Sequence, residues 1–233
     1  HTGQPALDYY GAAVYRYPGT SGYIGLAEAY WHWLERLEEE RWGESGDPQH
    51  AVIERLRPAA MDVHLISSRD GRTFQRLGDG APFMGLGSSG RFDSRMVWAM
   101  PNPIAVGEEL WIYYIGSNKD HDGFVDAEAE GELSGLSRAV MRLDGFASLD
   151  ADRDGGEFTT PVVTFDGDAL ELNVDTGGGG SVRVEVLDEA GAPVKGFSLA
   201  EAVPLCANST RAVLQWRNDA AIGVLAGKPV RLR

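Results

Sequence analysis

The sequence predicts an all-β fold, in which strands in meander order are followed by a second β-rich region. Three observations support this. The first is an imperfect repeat: Asp8-Tyr-Tyr-Gly-Ala-Ala-Val-Tyr-Arg-Tyr, Gly22-Tyr-Ile-Gly-Leu and Val63-His-Leu-Ile-Ser are echoed by Asp93-Ser-Arg-Met-Val-Trp-Ala-Met, Glu109-Leu-Trp-Ile-Tyr-Tyr-Ile and Leu136-Ser-Arg-Ala-Val-Met-Arg. Repetition at this scale marks a repeated supersecondary unit. The second is that these runs are rich in β-branched and aromatic residues and are bounded by Gly, Pro, Asn and Asp. The third lies beyond about residue 157, where Thr159-Thr-Pro-Val-Val-Thr-Phe, Leu170-Glu-Leu-Asn-Val-Asp, Ser181-Val-Arg-Val-Glu-Val-Leu and Ala212-Val-Leu-Gln-Trp alternate apolar and polar residues with the period of a strand.

Each element follows from local chemistry. Pro18-Gly19-Thr-Ser-Gly and Val106-Gly107-Glu-Glu read as turns joining the first strand of each copy to the second. Asp70-Gly71 and Asp144-Gly145 then turn each third strand into a short fourth. Four antiparallel strands in meander order compose one propeller blade, so blades are expected at about 8–92 and 93–157. Between the second and third strands of the first copy, Trp33-Leu-Glu-Arg-Leu-Glu-Glu-Glu-Arg-Trp42 and Ala51-Val-Ile-Glu-Arg-Leu-Arg57 carry apolar residues three and four apart. This spacing predicts a helical insertion near 35–58, ended by Pro58, that would serve as a lid. The region 158–233 reads as a small β-sandwich, two half-polar sheets burying their apolar faces together. Its Gly177–Gly180 run lacks the Lys-Ser/Thr and helix of a phosphate loop and reads as a turn.

With 233 residues and 43% hydrophobic content, the chain can build real cores. A formal net charge of -14 argues against nucleic acid and anionic membranes, both bound chiefly through Lys and Arg. No run approaches the roughly 20 apolar residues of a membrane span. The single cysteine, Cys206, excludes an internal disulfide framework. Its Val-Pro-Leu-Cys-Ala setting predicts a buried small hydrophobe. The compartment stays open, secretion and the periplasm included. His32, His64 and His121 lack paired metal-ligand spacing, so no metal or other cofactor is implied.

Asp62-Val-His-Leu-Ile-Ser-Ser-Arg-Asp-Gly-Arg-Thr-Phe, Phe92-Asp-Ser-Arg-Met-Val-Trp, Glu108-Glu-Leu-Trp-Ile-Tyr-Tyr-Ile-Gly-Ser-Asn and Leu143-Asp-Gly-Phe-Ala-Ser-Leu-Asp resemble the later blades of bacterial five-bladed propeller proteins. Those proteins are similar to the invertase/fructanase and arabinanase superfamily of glycoside hydrolases. The tail, with Val182-Arg-Val-Glu-Val-Leu-Asp and Leu225-Ala-Gly-Lys-Pro-Val-Arg-Leu, is similar to the β-sandwich appended to such propellers. The resemblance implies that roughly three further blades come from upstream sequence or another chain, because two blades cannot close the ring. It also implies that the main catalytic acids of the family, drawn largely from its first three blades, lie outside this sequence.

In a blade, the innermost strand begins at the pocket face, and the loop between the second and third strands returns there. Asp8 and Asp93 therefore point to the funnel and form the expected catalytic pair, one carboxyl as acid and one as nucleophile or base. Glu28, Trp31 and His32 from the strand-two tip, Arg95, and His121 with Asp122 from the following loop are the expected substrate-binding set. Carboxylates accept sugar hydroxyls and aromatic faces stack on sugar CH surfaces. Trp33, Trp42 and Trp98 offer further faces, although Trp98 and Trp111 also suit the core between blades. Three activities fit these parts: hydrolysis of a plant- or alga-type oligo- or polysaccharide, carbohydrate binding without turnover, and glycoside phosphorolysis. The last needs a phosphate-binding cluster, for which Arg95 and His121 are the candidates.

Overall fold

The computed structural model describes residues 6–32, 59–217 and 219–233, and among these it holds strands and two short 3-10 turns but no α-helix. The expected helical insertion at 35–58, with Trp33 and Trp42, lies outside the described residues. β1 (Ala6–Arg16) and β2 (Tyr23–His32) form an antiparallel hairpin. Gly19 supplies the positive φ of 76° at its turn. β3 (Met61–Ser68) returns along β2 with Met61 opposite Tyr30 and Ser68 opposite Tyr23. The two-residue β4 (Gln75–Arg76) closes this first meander against β3. The β3–β4 turn is built on Asp70, whose carboxylate accepts the Arg72 and Thr73 amides at 2.8 Å and the Ser68 hydroxyl at 2.9 Å. Those donors hold its pKa down at about 2.

β5 (Met96–Ala99) and β6 (Ile104–Val106) both pair with β7 (Glu109–Ser117), and β8 (Ser134–Arg142) flanks β7 on its other side. Gly107, at φ 62°, turns β6 into β7. The two meanders meet where Met61 pairs in parallel with Met96, giving one mixed sheet of 8 strands. The described strands close neither a barrel nor a ring.

Three expectations need correction. Asp144-Gly145 does turn the chain, with Asp144 at φ 59° and the Gly145 amide bonded to the Arg142 carbonyl. No fourth strand follows, however, and none is present among the described residues between Arg142 and Glu171. The segment is rich in Asp, Ala and Gly, which pack poorly on a pleated surface. Thr159–Phe165 likewise forms only an isolated bridge, Val163 to Val230, since Pro161 removes a ladder donor. Cys206 is exposed rather than buried. Its neighbour Leu205 bridges to Val182 and packs on the core, so alternation turns the thiol outward.

The chain divides into two compact units at Met141/Arg142, earlier than the change of character read at 157. Arg142 donates to Asn173, Asn208 and the Val174 carbonyl within the second unit. That unit holds two short ladders, β9 (Glu171–Asp175) with β11 (Asn208–Val213) and β10 (Val186–Asp188) with β12 (Val230–Leu232). Its core gathers Val186, Phe197, Trp216, Ile222, Leu225 and Val230. Trp216 donates its indole N–H to the Val184 carbonyl at 3.2 Å and meets the Phe197 ring edge-on at 5.1 Å.

Candidate functional site

The register of β1, β2 and β3 sorts the first meander's side chains onto two faces. On the first, Leu26 lies opposite Leu65, Glu28 opposite Val63, and Tyr30 between Asp8 and Met61. Leu26, Met61, Val63 and Leu65 are buried and make the core. On the second, Gly25, Ala27 and Ala29 of β2 form a low floor between Tyr9 and Val14 on β1 and Asp62, His64 and Ile66 on β3. A Cβ on Gly25 would lie 2.6 Å from Ile66 Cγ1, so the strands' larger side chains already fill that space.

At one end of the first face, three sequence-predicted residues come together. A β-bulge between Tyr9 and Gly11 sets Tyr10 and Gly11 against Glu28. A Cβ on Gly11 would sit 2.8 Å from Glu28 Oε2, so a larger residue there would displace that carboxylate. The His121 ring lies 5.0 Å from both the Tyr10 and the Tyr30 rings, and its amide bonds the Ala59 carbonyl at the head of β3. Asp8, opposite Tyr30, is exposed, as are Tyr10, His121 and Asp122. Asp8 and Glu28 are diagonal cross-strand neighbours, a relation that puts backbones about 7–8 Å apart.

The loop carrying His121 is pinned by buried polar groups. Asn118 donates to the Gly131 carbonyl and accepts the Leu133 amide, while Asp126 accepts Ser89 and the Gly90 and Glu128 amides. The nearby Ser94 hydroxyl first, and then these donors, hold the Asp126 carboxyl well below the usual range.

Asp93 is placed differently. Its carboxylate accepts the Tyr114 hydroxyl at 2.8 Å. A Cβ on Gly116 would lie 2.6 Å from Asp93 Cβ, and one on Gly87 would collide with its carboxylate. The aspartate is thus boxed against β7, and two strands, β2 and β3, lie between β1 and β5 in the sheet order. Arg95 sits at the junction of the meanders, where its carbonyl accepts the Met61 amide. His32 ends β2. Trp111 lies under the Arg138 guanidinium at 3.8 Å and donates to Glu109, and Trp98 is half-buried.

Trp31 reaches the second face, where sequence reasoning had assigned no chemistry. Its indole N–H donates to Asp62 Oδ2 at 3.0 Å. Asp62 Oδ1 stands 3.3 Å from His64 Nε2, and Tyr9 Oη stands 3.0 Å from His64 Nδ1. His64 is fully buried and Asp62 6% exposed, whereas Tyr9 is 46% exposed. Burial pushes the Asp62 carboxyl up to about 6, against a lowering contribution from the indole bond. Burial first, then the Arg76 charge, holds His64 below its ordinary value. A signal for this group is present in Met61-Asp-Val-His-Leu, where two polar residues sit at alternate positions of an otherwise apolar strand.

The raised carboxyl gives a stability prediction. Between about pH 4 and about pH 6 the folded protein binds the Asp62 proton and the unfolded chain does not, so this group weakens the fold as pH rises. His64 acts in the opposite direction, weakening the fold as pH falls below about 6.5. Asp62→Asn should therefore be more stable than the parent at pH 7, with the gain shrinking towards pH 4, as urea denaturation across that range will register. A gain that grew on acidification would contradict the assignment.

Family models, curated proteins and solved structures, compared with this chain, gave no match.

Proposed function

We propose that the first unit is a carbohydrate site of the glycoside-hydrolase kind, centred on Asp8, Glu28, Tyr10, Tyr30 and His121. The observation that carries this reading is the register of β1 on β2, which puts two carboxylate-bearing positions on one face, beside rings contributed by Tyr10 at the bulge, Tyr30 and His121. Side chains from backbones about 7–8 Å apart can hold carboxyls at roughly 5–9.5 Å, the separation that acid/base hydrolysis of a glycosidic bond requires. Tyr10 and Tyr30 offer faces for sugar CH groups, and His121 offers a donor to hydroxyls. The proposal keeps the two meanders as propeller blades and the second unit as a sandwich. The exposed Val14 on edge strand β1 fits a partner set of strands, from upstream or from another chain, lying against it.

The test is turnover and affinity on a panel of aryl glycosides and plant or algal oligosaccharides. Glu28→Gln and Asp8→Asn should each lower kcat/KM by about 10²–10⁴-fold, the usual contribution of a positioned acid or base, with sugar affinity kept. Asp93→Asn should change turnover less. If Asp93→Asn alone abolishes it, the chemistry belongs to Asp93 as the strand-start argument expects. Binding by the parent without any turnover makes this a binding module, and absence of both defeats the proposal.

A further inference from the structure

The second face carries a group that the carbohydrate reading does not use. Asp62 Oδ1 and His64 Nε2 are both buried and lack a hydrogen-bond partner among the described residues, yet they face each other at 3.3 Å. Two buried polar atoms left this way cost free energy unless each serves the other. The opposite ring nitrogen of His64 contacts the Tyr9 hydroxyl at 3.0 Å, and Tyr9 is half-exposed. One line of contacts therefore runs from a carboxyl shut away from water, through an imidazole, to a phenol at the surface.

We infer that Asp62, His64 and Tyr9 form a proton relay that makes Tyr9 Oη an acid/base group at the protein surface, reading the protonation of the buried carboxyl. With Asp62 ionised, Nε2–H points at the carboxylate and the Tyr9 O–H donates to Nδ1. When Asp62 takes up a proton, its O–H donates to Nε2 and the imidazole proton sits on Nδ1, donating to Tyr9 Oη. The phenol hydrogen is then free to be donated outward. In the ionised state, the Tyr9 proton can move to Nδ1 as the Nε2 proton moves to the carboxylate. One O–H and one N–H bond break, one of each forms, and the phenolate left behind can accept a proton from a ligand hydroxyl. No oxidant or further reactant enters. The Trp31 and Tyr9 rings flank the imidazole, their centroids 5.8 and 5.9 Å from its own.

Among the described residues, the charged and titratable groups facing this line are few. Tyr9 comes from β1, and Arg76 of β4 places a positive charge near His64, favouring the neutral imidazole that a relay needs. Trp31 of β2 is a neutral donor. The 83–84 segment meets β3 through backbone bonds at Val63.

The test needs no ligand and is independent of the carbohydrate proposal. The chain is labelled at tyrosine Cζ and histidine ring nitrogens and followed by NMR from about pH 4 to about pH 8. A single transition near pH 6, that of the Asp62 carboxyl, is expected to be reported by the His64 and Tyr9 signals together. Asp62→Asn should abolish it at His64 and Tyr9, while Tyr9→Phe should leave it at His64 and shift the tautomer balance between its nitrogens. A Tyr9 signal flat through pH 6 in the parent overturns the relay, as does a Tyr9 transition near pH 6 that survives Asp62→Asn. Should Asp62→Asn not fold, the Tyr9→Phe comparison and the parent titration decide the matter alone.

Discussion

Arg233→Ala should destabilise the second unit by about 1–3 kcal/mol, the cost of leaving a buried acceptor unsatisfied, less than for a fully buried pair because the Arg233 side chain is 36% exposed. The Glu185 side chain is 3% exposed, and the Arg233 Nε–H donates to its Oε1 at 2.6 Å while the guanidinium's NH2 group also faces that oxygen. The second carboxylate oxygen accepts the Leu199 amide at 3.1 Å. Backbone bonds in both directions between the same two residues fix the geometry. Removing the guanidinium strands a carboxylate that water reaches poorly. Urea unfolding monitored at Trp216 will measure the loss. Glu185→Gln in the same chain should recover a large part, since a neutral amide no longer needs a cation. A single-variant change under about 0.5 kcal/mol, the range of ordinary surface substitutions, would show that solvent screens the pair.

Trp216→Ala should cost about 3–5 kcal/mol, as large aromatic truncations in cores do. The indole is 4% exposed, packs edge-on against Phe197, and satisfies the Val184 carbonyl. Truncation leaves a cavity and an unmet acceptor together. Trp216→Phe keeps most of the packing and loses only the N–H, so it should fall well short of the alanine effect. Equal losses from both variants in guanidinium denaturation would mean that the hydrogen bond, not the packing, dominates.

The sequence shows the strands of the first unit well because their signals are local. Aromatic and β-branched runs in β1, β2, β3 and β7 meet turns that only particular residues allow, such as Gly19, Gly71 and Gly107 with positive φ. Where composition weakens after Gly145, the repeat itself still suggests a fourth strand, and the chain does not form one. Repetition of a turn does not guarantee repetition of the strand after it.

The site was legible only in part, for a geometric reason. Asp8, Glu28 and His121 were named from loop and strand positions, and register brings them to one end of one face. Tyr10 could not be placed, because its face depends on a bulge that alternation alone does not reveal. Asp62 and His64 were overlooked as chemistry because their partners Tyr9 and Trp31 lie more than thirty residues away. The Glu185–Arg233 pair, 48 residues apart, is invisible for the same reason. Asp93, prominent as a repeat marker, is enclosed by Gly87, Gly116 and Tyr114 in a way no spacing rule predicts.

The bulge in β1 has a consequence for how such a surface arises. Tyr10 is the extra residue of the bulge, and the residues on either side of it pair in phase, Tyr9 with Ala29 and Gly11 with Glu28. Inserting or deleting one codon at that point therefore adds or removes an aromatic ring without re-indexing any other strand position. A lineage can gain or lose this ring in a single mutational event while the rest of the sheet keeps its reading frame of pairings.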